Sequence, residues 1–411
     1  MDIKPILSTL RRHKFTAFLL IMEIALTCAI ICNAIFLIGQ RLDRMHMSTG
    51  MAEHELVYVQ IAYIGGRPDA MARTADDLAA LRSIPGAKSV ALINQFPFSG
   101  GSSNMGVKID LQQNFDTINV SQYFGEGLLP ALGVRLIAGR DFRPEEYRDL
   151  TEVYAALHRG DMNALPRQTL ITEATAERLW PGQDPLGKPI YVGHDITLTV
   201  IGVVKELVRG GYIREREGEQ YSVIHPIRMA MGSDTFYLIR SMPGDRERVL
   251  NAAIAKLNAL DPNRIVLDKG SWDRKRQDYF RNDRAMAGIL IGVCIALLVV
   301  TALGIIGLAS FWVSQRNRSI GVRRALGATR RNILHYFQTE NFLLTTMGIM
   351  LGMVLAYGIN LFLIVHYELP RLPAVYFPVG AMLLWGLGQI AVLGPALRAA
   401  AVPPVVATRS V

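Results

Sequence analysis

The feature that most constrains this chain is a set of apolar runs long enough to cross a bilayer. Residues 286–313, 342–365 and 374–397 contain no Asp, Glu, Lys or Arg, and residues 17–38 contain only Glu23. A membrane-spanning helix needs about 20 mostly apolar residues. The runs therefore predict an integral membrane protein with four transmembrane α-helices. An ordinary soluble enzyme and a disordered chain both fit this pattern poorly.

The first run is predicted to remain as a helix in the mature protein. Basic residues precede it, as they do in a signal peptide: Lys4, Arg11, Arg12 and Lys14. However, the run is longer than the roughly 7–15 apolar residues of a signal peptide. The residues directly after it, Gly39-Gln-Arg-Leu-Asp, also contain no small-x-small pattern that would mark a cleavage site.

The net charge of +9 lies beside the apolar runs. Residues 1–39 carry +2, residues 286–411 carry +7, and the 246 residues between them hold 31 basic and 31 acidic side chains. This distribution is typical of membrane topology and not of a nucleic-acid-binding face. Because basic residues collect in short cytoplasmic flanks, both termini and residues 314–340 are predicted to be cytoplasmic, and residues 40–285 to be extracytoplasmic.

These observations predict the following order along the chain. It comprises a cytoplasmic flank (1–16), helix one (17–38), an extracytoplasmic domain (40–285), helix two (286–313), a cytoplasmic segment (314–340), helix three (341–365), a short outer loop (366–373), helix four (374–397) and a cytoplasmic tail (398–411).

Within residues 40–285 the pattern predicts an α+β domain of two subdomains. A strand, a helix and a strand are expected at 56–61, 74–83 and 89–93, and again at 235–239, 244–260 and 264–267. Because one strand-helix-strand unit lies near each end of the domain, the two units together suggest a single subdomain built from both ends. A second subdomain, at about 121–220, would be inserted in it, with strands at 169–172 and 197–204 and a helix at 174–179. The three cysteines (Cys28, Cys32 and Cys294) lie in predicted spans, so no disulfide is expected here.

Three stretches carry a family resemblance. Residues 318–333 read Arg-Ser-Ile-Gly-Val-Arg-Arg-Ala-Leu-Gly-Ala-Thr-Arg-Arg-Asn-Ile and precede Glu340. Gly139-Arg-Asp-Phe is followed by Leu170-Ile-Thr-Glu-Ala-Thr-Ala-Glu-Arg-Leu-Trp-Pro-Gly, and the chain ends with Gly394-Pro-Ala-Leu-Arg and later Pro403-Pro. Together they resemble the MacB/FtsX-like family of ABC-transporter permeases. One departure is Ser319, where the family usually has an acidic residue.

The resemblance implies an inner-membrane half-transporter with a MacB-like periplasmic core domain and an FtsX-like permease domain. It implies a homodimer, or a heterodimer with a related permease, that works with two ATPase subunits in drug or peptide efflux. A periplasmic adaptor and an outer-membrane channel belong to some such pathways. The sequence contains no Gly-x-x-x-x-Gly-Lys-Ser/Thr motif, so any ATPase is expected on a separate polypeptide.

The arginine-rich segment is predicted to couple the membrane helices to that ATPase. Arg318–Leu326 fits a short helix with Ile320, Val322 and Leu326 available for apolar contact, Gly327 fits a left-handed turn that ends it, and Thr329 fits an N-cap for the next helix. The predicted coupling residues are Arg318, Ile320, Gly321, Arg323, Arg324, Leu326, Gly327, Thr329, Arg330 and Arg331. The alternative is that the arginines only anchor the loop to anionic membrane lipid.

Two glycine pairs are predicted to let helices approach closely. Gly288 and Gly292 lie in span two, and Gly348 and Gly352 lie in span three, each pair with small-x-x-x-small spacing. The pattern fits either a dimer seam or packing within one subunit.

Two further features have alternative interpretations. Glu23 either reaches water or Arg12 near the cytoplasmic boundary, which we favour, or contacts a neighbouring helix or a proton path. The loop 96–104 either grips an apolar substrate or partner, or is a connector with Phe96 and Phe98 in the core, which we favour. Residues 209–220 are predicted to form a solvated loop.

The sequence indicates no catalytic site, cofactor or metal. It contains neither His-Glu-x-x-His nor Gly-x-Ser-x-Gly, and no cysteine pair suits zinc. The expected function is therefore a non-catalytic permease subunit that couples ATP hydrolysis elsewhere to movement of its outer domain. The alternatives are a non-transporting mechanotransmitter that regulates an envelope partner, FtsX-like or lipoprotein-handling, and a membrane-anchored receptor without an ATPase.

Overall fold

The structure, a computed structural model, describes residues 14–63, 69–161, 165–193, 196–211, 218–367 and 371–402. The chain divides into two compact units. The first combines the chain before Met47 with the chain after Arg281, and the second is Met47–Arg281. The second unit is therefore an insertion between two parts of the first, as the predicted fold class requires.

The helices and strands follow one another along the chain. In order they are α1 (Lys14–Met45), β1 (Leu56–Tyr63), α2 (Ala70–Arg82), β2 (Ala87–Ile93), β3 (Asn104–Val107), β4 (Ile118–Phe124), α3 (Leu128–Leu132), β5 (Leu136–Gly139), β6 (Arg148–Asp149), α4 (Leu150–Arg159), β7 (Gln168–Thr172), α5 (Glu173–Leu179), β8 (Pro189–Val192), β9 (Ile196–Val204), β10 (Ser222–His225), β11 (Ile227–Arg228), β12 (Phe236–Ser241), α6 (Arg246–Leu260), β13 (Arg264–Ser271), α7 (Trp272–Tyr279), α8 (Arg281–Gln315), α9 (Asn317–Ala325), α10 (Arg330–Tyr367) and α11 (Tyr376–Ala400).

Four helices of the first unit are long and apolar enough to cross a membrane. The most apolar 18-residue windows of α1, α8, α10 and α11 have mean hydropathies of 2.4, 3.0, 2.2 and 1.6. The prediction of four transmembrane helices is therefore confirmed. Helix α8 has 35 residues and is about 52 Å long, which exceeds the roughly 30 Å of a hydrocarbon core.

The first unit has a core of small and aliphatic side chains. Helix α1 packs against α10 and α11, and Ile24, Cys28, Leu344, Ala381 and Leu384 are all buried in this core. Small residues let the helix backbones approach closely, which favours helix association where lipid removes the hydrophobic driving force.

The second unit contains a four-stranded antiparallel sheet built from both of its ends. The strand order is β13-β1-β12-β2. Alternate residues of β1 (Val57, Val59 and Ile61) join one core with residues of α2 and α6, since successive side chains of a strand point to opposite faces. The predicted subdomain from both flanks is confirmed.

A mixed sheet of seven strands forms the inserted part. Its order is β3-β4-β10-β7-β9-β5, with β8 on β9. The pairs β4–β10 and β7–β9 are parallel and the others are antiparallel. The strands run from Asn104 to His225, a wider range than 121–220, because β3 pairs with β4 ahead of the range that the sequence suggested. Strands β6 and β11 form a separate two-stranded parallel sheet.

Candidate functional site

The arginine-rich segment folds as a short helix followed by a capped turn. Helix α9 spans Asn317–Ala325. Gly327 has a φ of +97°, and the Thr329 hydroxyl accepts a hydrogen bond from the Asn332 backbone N–H at 3.2 Å. These are the turn and the N-cap that the sequence predicted, and each follows from local chemistry. A left-handed residue favours glycine, and a threonine oxygen satisfies a free N–H at a helix start.

One face of α9 is buried against the ends of three membrane helices. Ile320 is buried together with Val313 of α8, Ile333 and Phe337 of α10, and Ala396 of α11. Gly321, next to Ile320, is buried as well. Helix α9 is therefore part of the helical bundle and not a free loop.

Two of the three apolar residues of this segment remain exposed. Val322 is 44% exposed and Leu326 is 83% exposed, so of the three residues that the sequence marks as available for apolar contact only Ile320 packs within the subunit. The reason is helical geometry, because residues two positions apart lie on different faces of a helix. Leu326 lies just after the last residue of α9.

Polar contacts fix the segment to its neighbours. The Arg316 guanidinium donates to both oxygens of Glu340, at 2.8 and 3.1 Å, and the Glu340 side chain is 2% exposed. Arg324 donates to the backbone carbonyls of Ala400 and Val402, at 3.2 and 2.5 Å. These carbonyls lie at the C-terminal end of α11, where cationic donors stabilise unpaired carbonyl groups.

The outer surface of the segment is basic and partly apolar. Arg323 lies with its guanidinium carbon 5.1 Å from the centroid of the Tyr336 ring. Arg318, Arg330 and Arg331 are exposed, as are Thr329 and Gly327. We call Val322, Leu326, Arg318, Arg330 and Arg331 the basic tip; such a surface suits a partner groove with an apolar floor and an acidic rim.

Sequence reasoning missed the Arg316–Glu340 pair. In the sequence, Arg316 is only a topology signal and Glu340 is only part of the family motif. A signal was nevertheless present, because a carboxylate directly before an uncharged run is costly to bury and requires a cationic partner.

The two glycine pairs differ in their surroundings. A Cβ atom built on Gly348 would lie 2.7 Å from Ile24 Cγ2, and one on Gly352 would lie 2.5 Å from Cys28 Cβ. The span-three pair therefore packs within the subunit, against α1. In the described part of the chain, no atom other than the neighbouring backbone of α8 itself lies within 4 Å of a Cβ built on Gly288 or Gly292.

Helices α1 and α8 share polar contacts along their length. The Thr27 and Thr301 hydroxyls are 2.9 Å apart, and both Arg41 and Arg44 donate to Asp283 Oδ1, at 2.6 and 2.7 Å. Residue numbers rise along α1 from Thr27 to Arg41 and fall along α8 from Thr301 to Asp283. The two helices are therefore antiparallel. This zipper of polar contacts joins the helix before the inserted domain to the helix after it.

Glu23 faces α8. A Cβ built on Gly304 would lie 2.6 and 2.8 Å from the two Glu23 carboxylate oxygens. The carboxylate thus occupies space that any larger residue at 304 would fill. This is the contact with a neighbouring helix, the alternative that the sequence favours less. Arg12, the partner favoured there, lies outside the described residues.

The loop at residues 96–104 contributes to the core of the second unit. Phe96 is 0% exposed and Phe98 is 2% exposed, which confirms the interpretation we favoured. The predicted loop at 209–220 falls partly outside the described residues, since 212–217 are not among them. Across the described ranges, no group of three His, Cys, Asp or Glu side chains suits a metal ion.

Comparison with known proteins places this architecture in a family. Residues 19–274 match the MacB-like periplasmic core domain, and residues 291–404 match the FtsX-like permease C-terminal domain. Four apolar helices, with an α+β domain after the first and a short arginine-rich helix between the second and third, define an ABC-transporter permease. The chain belongs to the MacB/FtsX-like family of these permeases, and it is an inner-membrane protein with a periplasmic domain.

Relatives in the family cover the chain to different extents. Over 281 residues it is 27% identical to the uncharacterized ABC transporter permease YvrN of Bacillus subtilis, covering 65% of this chain and 66% of that protein. It is 22% identical to YknZ of the same organism, covering 99% and 98%. It is 26% identical to the macrolide export ATP-binding/permease protein MacB of Chromobacterium violaceum, covering 54% of this chain. The chain matches about a third (34%) of that MacB.

Proposed function

We propose that this chain is the transmembrane subunit of an ABC transporter and couples ATP hydrolysis by a separate ATPase to movement of its periplasmic domain. It would act as a homodimer or as a heterodimer with a related permease, exporting peptides, drugs or similar molecules. The observation that carries this proposal is the anchoring of α9. The helix is held by buried contacts to three membrane helices while its basic tip is exposed.

The contacts of α9 suit it to receive a push from outside the bundle. A loosely held helix would absorb a displacement in its own loops. Here Ile320 lies in a shared apolar core, Arg316 pairs with Glu340, and Arg324 caps α11. A displacement of the basic tip would therefore displace α8, α10 and α11. The polar zipper between α1 and α8 would then carry the movement toward the periplasmic domain.

The lipid-anchor alternative explains less of this geometry. Arginines that only bind headgroups at roughly 1 kcal/mol each have no need of a buried carboxylate partner or of helix carbonyls as acceptors. Arg316 and Arg324 have such partners, whereas Arg318 and Arg330 are exposed. We infer that the exposed arginines meet the ATPase, with both termini and residues 314–340 in the cytoplasm.

Co-purification tests the proposal. The tagged wild-type chain is expected to capture a nucleotide-binding subunit and to change its ATPase activity. Leu326→Asp should abolish capture, because the introduced carboxylate would meet the apolar floor and acidic rim of the partner groove. The fold should tolerate the change, because Leu326 is 83% exposed. Leu111→Asp is the matched control, since Leu111 is an exposed leucine of the periplasmic domain. Capture by Leu326→Asp at the wild-type level would contradict coupling through this tip.

Two other outcomes would redirect the assignment. If the wild-type chain captures no nucleotide-binding subunit, the receptor alternative stands. If it does, deletion of the gene separates the remaining possibilities. Drug or peptide sensitivity would support export, with or without a periplasmic adaptor and an outer-membrane channel. An envelope or division defect without such sensitivity would support a mechanotransmitter.

A further inference from the structure

Helix α7 lies where the periplasmic domain is covalently joined to the membrane helices. Its last residue is Tyr279, Phe280 follows, and α8 begins at Arg281. The other connection is at Met47, where the chain enters the second unit two residues after the end of α1. The two covalent connections between the units are therefore at Met47 and at Arg281.

Arg276 of α7 ties these two connections together. Its guanidinium donates to the Met47 carbonyl at 2.7 Å and to the Glu53 carboxylate, with 2.6 Å to Oε1. A second contact joins Asp273 of α7 to His54, with 3.0 Å between Oδ1 and Nδ1. The entry segment and α7 are thus held as one piece inside the domain.

Phe98 packs against the same helix in an unusual backbone conformation. Its φ is +66°, and among the described residues it is the only non-glycine residue with a positive φ. Its ring centroid lies 5.6 Å from that of Trp272, 4.7 Å from that of Tyr279 and 5.1 Å from that of Phe280. A phenylalanine in the left-handed region is strained, and such strain persists only where surrounding packing enforces it.

The loop that carries Phe98 connects the two sheets. We call residues 94–103 the inter-sheet loop, because β2 of the four-stranded sheet precedes it and β3 of the seven-stranded sheet follows it. The Gln95 amide donates to Ser121 Oγ at 2.9 Å and to the Gln122 carbonyl at 2.8 Å, both in β4. Phe96 contacts Trp272, with ring centroids 5.1 Å apart. The loop therefore binds α7 on one side and the seven-stranded sheet on the other.

From these contacts we infer that α7 is the joint through which the membrane helices act on the inter-sheet loop, and that Phe98 is its positioning residue. Displacement at Met47 or Arg281 moves α7 through Arg276 and Phe280. The aromatic contacts of Phe98 and Phe96 then move the inter-sheet loop and change the relation between the two sheets. The inference rests on the proposed function in one respect, since the ATPase is what would displace the membrane helices. The contacts that form the joint all lie within this chain.

Hydrogen–deuterium exchange of the full chain in nanodiscs tests the joint without any ATPase. Phe98→Ala is expected to speed amide exchange about tenfold in the inter-sheet loop and also in residues 47–55. Phe98 acts on residues 47–55 through α7, so a purely local role would leave them unchanged. Arg276→Gln, at a partly exposed residue, should speed exchange in both segments as well. This variant provides the same test if Phe98→Ala does not fold.

The matched control is Phe115→Ala, since Phe115 is 85% exposed on the β3–β4 connection and should leave both segments unchanged. Faster exchange confined to the inter-sheet loop in Phe98→Ala, or confined to residues 47–55 in Arg276→Gln, would overturn the joint. Faster exchange in both segments for both variants, or for Arg276→Gln where Phe98→Ala does not fold, supports the joint when the control leaves both segments unchanged.

A distance measurement then tests the direction of transmission. Spin labels at Glu247→Cys on α6 and Thr197→Cys on β9 report on the two sheets. In the complex with the captured ATPase, nucleotide should shift the distance in the wild-type background and not in Phe98→Ala, while ATP hydrolysis continues. An equal shift in both would overturn the joint. A wild-type complex without any shift would contradict the proposed function and leave the exchange result to decide the joint.

Discussion

At the scale of single residues, the Arg316–Glu340 pair determines how the coupling segment is held. Both side chains are largely removed from solvent, with 15% and 2% exposure. A buried ion pair is not by itself a strong source of stability, but loss of one partner leaves an uncompensated charge.

Removing one partner of this pair should therefore destabilise the protein more than removing both. Glu340→Leu or Arg316→Met alone is expected to cost about 3–5 kcal/mol of unfolding free energy, and the double variant Arg316→Met/Glu340→Leu should recover most of it. Thermal unfolding in detergent measures the difference. Equal losses in the single and double variants would show that the pair does not compensate.

His225 gives the periplasmic domain a pH dependence. The residue is 4% exposed, lies in β10, and has Nδ1 at 3.5 Å from the Thr169 hydroxyl. Burial lowers the pKa of His225 from 6.5 to about 4. Between those values the unfolded state binds a proton that the folded state does not, so stability falls as pH decreases from 6.5 to 4.

The expected loss over that interval is about 3 kcal/mol, since each pKa unit corresponds to about 1.36 kcal/mol. Chemical unfolding of the full chain at pH 7.5, 5.5 and 4.5 measures it. His225→Gln keeps a hydrogen-bonding side chain without the titration, and the difference between variant and wild type should narrow as pH falls. A pH-independent difference would contradict this role.

At the scale of elements, the close approach of α1 and α10 depends on the glycines at 348 and 352. Because glycine has no side chain, these two positions leave room on the surface of α10. Ile24, Ala25 and Cys28 of α1 fill that room. Overpacking of such a contact is destabilising.

Gly348→Ala should therefore lower the unfolding free energy by about 1–3 kcal/mol. Gly292→Ala is the matched control, in a span of similar sequence, and should leave the stability of the subunit unchanged because the built Cβ meets nothing. Unfolding in detergent by sodium dodecyl sulfate titration distinguishes the two variants. Equal destabilisation by both would show that Gly292 is also packed within the subunit.

At the scale of the whole molecule, the proposed orientation puts the second unit in the periplasm and the α9 segment of the first unit in the cytoplasm. The native cysteines are buried or half-buried in α1 and α8, so new cysteines report with little background. In cells with a permeabilised outer membrane, an impermeant maleimide should label Glu247→Cys, and it should label Leu326→Cys only after the inner membrane is disrupted. The reverse pattern would invalidate the coupling scheme, since α9 would then face the periplasm.

Much of this architecture could be predicted from the sequence because its signals are local. Hydropathy is a property of consecutive residues, so the four spans were found, although α1 continues to Met45 and α8 begins at Arg281, beyond the apolar runs. The patterns of consecutive residues located β1, β9 and β12, with clear alternation in β1. A glycine after α9 and a threonine three residues before a helical N–H predicted a turn and a cap without knowledge of any distant contact.

The tertiary structure alone decided which distant residues meet. Glu340 pairs with Arg316, Arg324 reaches the end of α11, Glu23 faces Gly304, and Phe98 lies on α7; each contact joins elements whose mutual position depends on the packing of the whole unit. Two glycine pairs with the same spacing acquired different surroundings for this reason. The sequence by itself determined the spans, the domain order and the family, since these depend on residues close together in the chain. The routes by which movement passes between helices depend on residues far apart in it, and only folding brings those together.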